Sequence, residues 1–146
     1  MKIFALLPGL AVCFILPAQA QIDKERFAIE SVTQEYLQAW YEGNDQLMAT
    51  VVHPQMAKKI VFDTGNKNGA LAYLSAEDLL AQTKKKRAQK VNPQDLIRSI
   101  TILDIYNNAA IVKAETPNWI DYLHMAKISG KWKIVNILWE LKSEGL

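Results

Sequence analysis

The sequence has very little cysteine and histidine, which argues against a disulfide framework and against a metal centre. The single cysteine is Cys13, and the two histidines are His53 and His124. One thiol cannot form an internal disulfide, and thiolate or imidazole metal sites need several such ligands. A Gly-rich phosphate loop and a serine-nucleophile elbow are also missing. We therefore expect no bound metal and no cofactor.

An excess of one charge is missing as well. The chain carries 17 basic and 15 acidic side chains, a net charge of +2, which provides no electrostatic footprint for nucleic acid. The one run of like charge, Lys84–Arg87, falls at the end of a predicted helix, where cations suit the helix dipole. We expect no nucleic-acid partner.

The one long apolar run lies at the start of the chain and is typical of a secretory leader. Ile3–Leu16 follows the positive start Met1-Lys2 and precedes Pro17-Ala18-Gln19-Ala20, whose A-x-A ending suits signal peptidase. We predict cleavage after Ala20, a single mature domain over residues 21–146, and export to the periplasm or beyond. Cys13 follows Val12 rather than a small residue, so a lipid anchor is not expected.

Three helices are predicted in the first part of the mature chain. Ile22–Glu42 has apolar residues at steps of three and four, and Gly43 is suited to end this helix in a left-handed conformation. Asn44 is a candidate N-cap for a helix from Asp45 to about Val52. Ser75-Ala76-Glu77-Asp78 has the pattern of a capping box that starts a third helix, ending near Lys86.

Strands dominate the second part of the chain. β-Branched and aromatic residues, with Asn, Gly and Pro at the breaks, predict a meander after a short hairpin. The predicted strands are Lys59–Phe62, Ala70–Leu74, Ile97–Tyr106, Ala109–Thr116, Trp119–Ile128 and Lys131–Leu141. Helices followed by a long antiparallel meander indicate an α+β fold.

This order of elements resembles the NTF2-like, or cystatin-like cone, superfamily, and three stretches resemble its putative lumazine-binding family. They are Tyr36–Asn44, then His53-Pro54 with Tyr73–Leu79, and Trp119–His124 with Trp132–Trp139. The resemblance covers essentially the whole mature chain. It implies a curved antiparallel sheet that packs on three N-terminal helices and leaves a pocket. It carries no catalytic motif, so it implies fold more strongly than function.

Two polar residues lie inside apolar strands and are candidates for the site. Asp121 shares a strand face with Trp119 and Leu123, and a carboxylate in an apolar cavity could act as a general base. Ketosteroid isomerase, another member of the superfamily, uses its base in this way. The alternative is an Asp121 that is solvated at the sheet rim or paired with a lysine. If Asn136 faces the helices, its side-chain amide needs a hydrogen-bond partner from the chain, a water or a ligand.

Aromatic residues at helix and strand spacing suit both a core and a pocket for a flat ligand. We assign ligand contact to Tyr36, Trp40, His53, Trp119 and Asn136. His53 could face the pocket mouth or cap the preceding helix. His124 is three positions from Asp121, so a regular strand would place the two on opposite faces.

The last strand is apolar on both faces, which predicts a partner for the outer face. We expect Ile134, Asn136 and Leu138 on one face, and Val135, Ile137 and Trp139 on the outer face, where a second copy would cover them. The leading function is binding of a small, largely apolar ligand without chemistry. The alternatives are a cofactor-independent isomerase or dehydratase with Asp121 as base, or a purely dimeric interaction module.

Overall fold

The computed structural model describes residues 16–63, 69–86 and 92–142, and these form three helices against one sheet. The last two strands have the predicted bounds, and the other elements differ from prediction at one end or both. The elements are α1 (Leu16–Glu42), α2 (Asp45–Val51), β1 (Val52–Asp63), β2 (Gly69–Ser75), α3 (Ala76–Lys85), a 3-10 turn (Pro93–Leu96), β3 (Ser99–Tyr106), β4 (Ala109–Glu115), β5 (Trp119–Ile128) and β6 (Lys131–Leu141).

The predicted helix caps are confirmed. Gly43 ends α1 with a φ of 68°, a conformation that costs a residue without a side chain very little. The side chain of Asn44 accepts a hydrogen bond from the backbone N–H of Leu47 at the start of α2. At α3, Ser75 and Asp78 form both halves of a capping box. These caps turn the chain sharply, so the three helices pack together on one side of the sheet.

The sheet has six strands in the order β2-β1-β6-β5-β4-β3. Four neighbouring pairs are antiparallel, but β1 and β6 run parallel. The prediction of an entirely antiparallel sheet was therefore wrong for this pair. Parallel neighbours need a long connection. Here the connection from β1 to β6 contains β2, α3 and the strands β3–β5. The α+β cone itself is confirmed.

β1 is longer than the predicted hairpin strand, and this changes the position of His53. β1 starts directly after α2, with Val52 as the C-cap of that helix. His53 therefore lies in the strand, where its Nδ1 accepts a hydrogen bond from the backbone N–H of Gln55. Helix capping, one of the two alternatives for His53, is therefore not observed: Val52 is the C-cap, and His53 has the extended conformation favoured before Pro54.

A bulge in β6 reverses the predicted faces of its second half. Met125 pairs with Ile134 while the preceding His124 pairs with Asn136, so Val135 is an extra residue on β6. Ile137 is consequently fully buried, and Trp139 packs partly buried against the core. The prediction that Ile137 and Trp139 cover the outer face was wrong. Asn136 and Leu138 lie on the outer face, whereas Ile134 stays inside.

The hydrophobic core fills the space between α1 and the inner face of the sheet. Its fully buried members come from all three helices and from β1, β4, β5 and β6, and include Ile29, Leu37, Met48, Leu123 and Ile137. Removing these side chains from water is the main driving force for the fold. In the described ranges, no helix is long and apolar enough to cross a bilayer. The predicted leader lies mostly outside the described residues.

Candidate functional site

A cavity of about 500 Å³ lies where α1 and α3 cross the ends of β1, β5 and β6. Its wall is mostly apolar and aromatic, with polar groups at one end and at the rim. The lining residues are Tyr36, Leu37, Trp40, Lys58, Ile60, Leu74, Leu79, Gln82, Lys86, Asn118, Trp119, Asp121, Trp139 and Leu141. This size and composition are typical of a small-molecule site.

Asp121 is the centre of the polar end. It points inward from β5 and is fully buried. Its Oδ1 accepts from Lys58 Nζ at 3.3 Å. Its Oδ2 accepts from Trp119 Nε1 at 3.0 Å and, more weakly, from Tyr36 Oη at 3.5 Å. Because a buried carboxylate without partners would be very costly, these three donors make its position tolerable.

Lys58 links the polar groups to each other. It lies on the inner face of β1, is nearly buried, and donates from Nζ to Tyr36 Oη at 3.0 Å. Its ammonium group also lies 5.7 Å from the ring centroid of Tyr36 and 5.6 Å from that of Trp139. A cation so close to two aromatic faces is attracted by their quadrupoles. The Lys58 ammonium is thus held by the Asp121 carboxylate, the Tyr36 hydroxyl and the rings of Tyr36 and Trp139.

The protonation of this cluster follows from its burial. Burial raises the pKa of the Asp121 carboxyl, while the charge of Lys58 and the hydrogen bonds from Trp119, Lys58 and Tyr36 act in the opposite direction without cancelling the rise. Burial and the charge of Asp121 raise the pKa of the Tyr36 phenol well above its usual value. Tyr36 therefore keeps its proton as a hydrogen-bond donor. Asp121 takes up a proton at a higher pH than an exposed aspartate does.

Aromatic side chains form the apolar part of the wall. Trp119 contacts Tyr41 with ring centroids 5.5 Å apart and tilted by 32°, which fixes the indole whose N–H reaches Asp121. At the α3 side, Lys86 Nζ lies 4.8 Å from the ring centroid of Trp40. The cavity therefore has flat apolar walls between an inner polar cluster and a second ammonium group.

The structure brings four of the predicted site residues together and leaves two elsewhere. Tyr36, Trp40, Trp119 and Asp121 all line the cavity. Asn136 faces outward and pairs with His124, their nitrogens 3.3 Å apart, so its predicted place in the pocket was wrong. The bulge at Val135 is the physical reason. His53 is not among the residues that line the cavity, because β1 carries it past the end of α2.

Lys58 is the site residue that sequence reasoning missed. The predicted strand began one residue later, at Lys59, so the alternation that includes Lys58 was not considered. Met56, Lys58 and Ile60 share the inner face of β1, and Met56 is almost completely buried. A lysine between two inward apolar residues was the available signal. The same alternation would have suggested a buried partner for Asp121.

A second hollow, of about 560 Å³, lies beside the N-terminal half of α1 and the β5–β6 turn. Glu25, one of its ionic groups, is fully engaged, since it accepts from Lys127 Nζ at 2.6 Å and from Trp132 Nε1 at 2.8 Å. These contacts, with the Lys127 amine as the main cause, hold the pKa of Glu25 below its usual range. None of the described residues that line this second hollow is a fully buried polar residue comparable to Asp121. Nowhere in the described ranges do three or more metal-ligating side chains group together.

Three helices on the inner face of a curved six-stranded sheet, with a cavity between them, define the NTF2-like class with its cystatin-like fold. Three solved structures illustrate the likeness. An NTF2-like protein of unknown function from Silicibacter pomeroyi has a TM-score of 0.65 at 12% identity, covering 83% of this chain and 98% of its own. An NTF2-like protein with a cystatin-like fold from Novosphingobium aromaticivorans has a TM-score of 0.65 at 11% identity, covering 94% of this chain and 94% of its own.

The third, an NTF2-like protein of unknown function from Methylobacillus flagellatus, has a TM-score of 0.55 at 24% identity, covering 85% of this chain and 94% of its own. The chain belongs to the putative lumazine-binding family, whose model matches residues 24–140. The predicted superfamily and family are thus confirmed. Among curated proteins, none matches the sequence. At these identities the structural neighbours show the fold alone, whereas the family suggests a domain that binds a small ligand.

Proposed function

We propose that this protein binds a small, flat, largely apolar molecule in the cavity between α1 and the sheet, without chemical conversion. The observation that carries the proposal is the combination of aromatic walls with one buried polar cluster, Lys58–Tyr36–Asp121. Apolar walls supply affinity by burying ligand surface, and a few fixed donors orient it. The family description, putative lumazine-binding, supports a small-molecule ligand.

The hydrogen bonds of Asp121 favour binding over catalysis. A general base needs a lone pair that can reach the proton it removes. Both carboxylate oxygens of Asp121 already accept hydrogen bonds, and the side chain is completely covered by its neighbours. Its role in this proposal is to hold Lys58 and Trp119 in place. The groups offered to a ligand are then the Lys58 ammonium and the aromatic faces.

Native mass spectrometry of the protein purified from its own host tests the proposal. We expect a bound mass on the wild type. Leu74→Trp should lose it by filling the cavity, whereas Leu71→Trp, on the exposed face of the same strand, should keep it. A bound mass that Leu74→Trp retains would place the ligand elsewhere. A wild type without bound mass, and without affinity for flat apolar probes in calorimetry, would contradict binding altogether.

Proton transfer is the second candidate function, and one observation favours it. Asp121 is one of the lining residues of the cavity, and the hydroxyl of Tyr36 lies 3.5 Å from its Oδ2. A general base of this kind needs a proton donor beside it, and Tyr36 can serve, whereas His53 and Asn136 are not among the lining residues of the cavity. The assay is exchange of the α-protons of 2-tetralone in D₂O, followed by NMR. Exchange that Asp121→Asn abolishes would establish an enzyme, and exchange at the buffer rate would exclude this reaction for the probe.

We also propose a homodimer through the outer face of the sheet, with residues other than those first predicted. Pairing across the strands aligns Tyr73, Lys59, Leu138 and Tyr122 in one outward row. Its three apolar members are each between 39% and 65% exposed. Exposed apolar patches of this kind mark interaction sites. Lys59 and the outward Glu140 provide both signs of charge, so a second copy can meet the patch without like-charge contact.

Sedimentation velocity at micromolar concentration tests the dimer. Leu138→Glu should shift the protein to a monomer, because two new carboxylates would face each other in an apolar interface. Asp95→Ala, an exposed residue in the 3-10 turn away from the strands, is the matched control and should leave the sedimentation coefficient unchanged. A wild type that sediments as a monomer would contradict the dimer.

We propose in addition that the chain is exported after loss of residues 1–20. Gln19 to Lys24 are exposed along α1, and from Gln19 onward the first buried residue of this helix is Ile29. Gln19 and Ala20, next to the proposed cleavage point, are thus exposed, and α1 would start at Gln21. Intact mass of the protein from an osmotic-shock fraction should correspond to residues 21–146. A cytosolic protein that keeps Met1 would refute export.

A further inference from the structure

The charges on the cavity wall do not balance. Among the described residues that line it, Lys58 and Lys86 are cationic and Asp121 is the one acid. Lys58 and Asp121 form an ion pair, with Nζ 3.3 Å from Oδ1, and their charges largely cancel as seen from the cavity. The ammonium group of Lys86 is left over. The wall as a whole therefore carries one positive charge.

Lys86 is held in a way that leaves its charge available. Its residue is half-buried, and its ammonium lies 4.8 Å from the Trp40 ring centroid. Within the described ranges, no carboxylate forms a salt bridge with it, whereas the neighbouring Lys84 pairs with Asp45 at 3.7 Å. An aromatic face attracts a cation but does not neutralise it. A half-buried cation without a counter-ion is a place where an anion would be stabilised.

The end of α3 acts in the opposite direction, but only in part. Lys86 is the C-cap of this helix, and its backbone N–H donates to the carbonyls of Gln82 and Thr83. A helix C-terminus carries roughly half a negative charge, which reduces the field of the ammonium. Lys84 and Lys85 in the last turn contribute cations of their own to the same end. Two other lysines thus already interact with the negative end of the helix dipole. Most of the positive potential of the Lys86 ammonium therefore still acts in the cavity.

We propose that the ligand is a flat organic anion, with a carboxylate or equivalent group at Lys86 and its ring system between the tryptophan walls. This inference depends on the proposed binding function and specifies the chemical class of the ligand. Trp40 would contact both parts, since its ring lines the cavity and also faces the Lys86 ammonium. A neutral molecule of the same shape would leave that ammonium without its partner once water is displaced from the wall.

The test compares two probes of the same shape, 2-naphthoate and 2-naphthamide, by isothermal titration calorimetry at low ionic strength. For the wild type we expect about tenfold tighter binding of the anion, a modest preference for a charge contact at a partly wet site. Lys86→Met keeps the length of the side chain and its apolar contact with Trp40, but removes the charge. It should bring the two affinities to within about twofold, by weakening naphthoate binding and not naphthamide binding. Lys84→Met, in the same helix turn, should keep the tenfold preference.

The outcomes separate this inference from the function on which it rests. Equal binding of both probes by the wild type would overturn the anion proposal and leave the ligand-binding function supported. A preference that survives in Lys86→Met would also overturn it, because the selecting charge would lie elsewhere. Failure of both probes to bind would count against the cavity as a site for flat molecules, and so against both proposals. Circular dichroism of each variant confirms that the fold is intact.

Discussion

Loss of the Lys58 ammonium should destabilise the protein strongly, and by an amount that depends on pH. Lys58→Met keeps the aliphatic length in the cavity wall but leaves the fully buried Asp121 without its counter-ion. Removing one partner of a buried pair costs about 3–5 kcal/mol. We take about 3 kcal/mol at pH 8, because Trp119 and Tyr36 still donate to the carboxylate. For a domain of this size, that corresponds to a melting temperature lower by roughly 10 °C.

The cost should become smaller as the pH falls. Burial already raises the pKa of Asp121, and without Lys58 the main influence that lowers it is gone. A carboxyl with a raised pKa in the folded state binds its proton more tightly when folded, so protonation stabilises the fold as the pH falls through that pKa. Between pH 8 and pH 5 the deficit of Lys58→Met should therefore shrink. Wild-type stability changes less over this range because Lys58 stabilises the charged form.

Urea unfolding followed by tryptophan fluorescence, at a fixed protomer concentration, measures these free energies. Lys84→Met is the control, since its ammonium is largely exposed and should cost less than about 0.5 kcal/mol. The double variant Lys58→Met/Asp121→Leu should recover most of the loss, because no buried charge remains. A deficit below 1 kcal/mol at pH 8, or one as large at pH 5 as at pH 8, would refute the reasoning.

Three further outcomes follow from single features. Gly43→Ala should lower the free energy of unfolding by well over about 1 kcal/mol, because φ is 68° and a Cβ there would overlap the Lys86 carbonyl oxygen. Gly130→Ala, at a φ of 78° with open space around it, should lower it by about 1 kcal/mol. Ser75→Ala should lower stability by about 1 kcal/mol through loss of the capping box. Glu25→Gln should reduce the acid dependence of stability: the pKa of Glu25 is lowered, so its contribution is lost as pH falls through that pKa.

Each of these outcomes has a measurement that could contradict it. Equal urea midpoints for the two glycine variants would mean that the α1–α3 approach is loose. An unchanged melting temperature for Ser75→Ala would mean that water replaces the hydroxyl at no cost. For Glu25→Gln, the difference from the wild type in the free energy of unfolding should be largest near pH 6 and should become smaller toward pH 3. A difference that stays constant over this range would show that the contacts of Glu25 do not depend on its charge.

Local chemistry made the caps and most of the strands predictable. Gly43, Asn44 and Ser75 each act through backbone groups within three residues, and β5 and β6 are bounded by turn residues. Their structure depends on short-range interactions that a sequence displays directly. For Asp121, the apolar strand made burial one of the alternatives, and pairing with a lysine another. The aromatic wall of the cavity followed from the same reasoning.

Long-range pairing explains what could not be predicted. The bulge at Val135 exists because β6 must match β5 on one side and β1 on the other, and a single strand does not display that requirement. The parallel alignment of β1 with β6 is likewise set by the path of the whole chain. Lys58 was hidden for a related reason, since a buried lysine looks like an exposed one until its partner on another strand is known.

The central position of β6 has a consequence for how the protein is made. β6 lies between β1 and β5, yet among the described strands it is the last in chain order. Until the residues of β6 leave the ribosome, the hairpin of β1 and β2 cannot join the rest of the described sheet, so closure of the sheet waits for this strand. The strand order thereby makes closure of the sheet depend on a strand that is far from β1 along the chain.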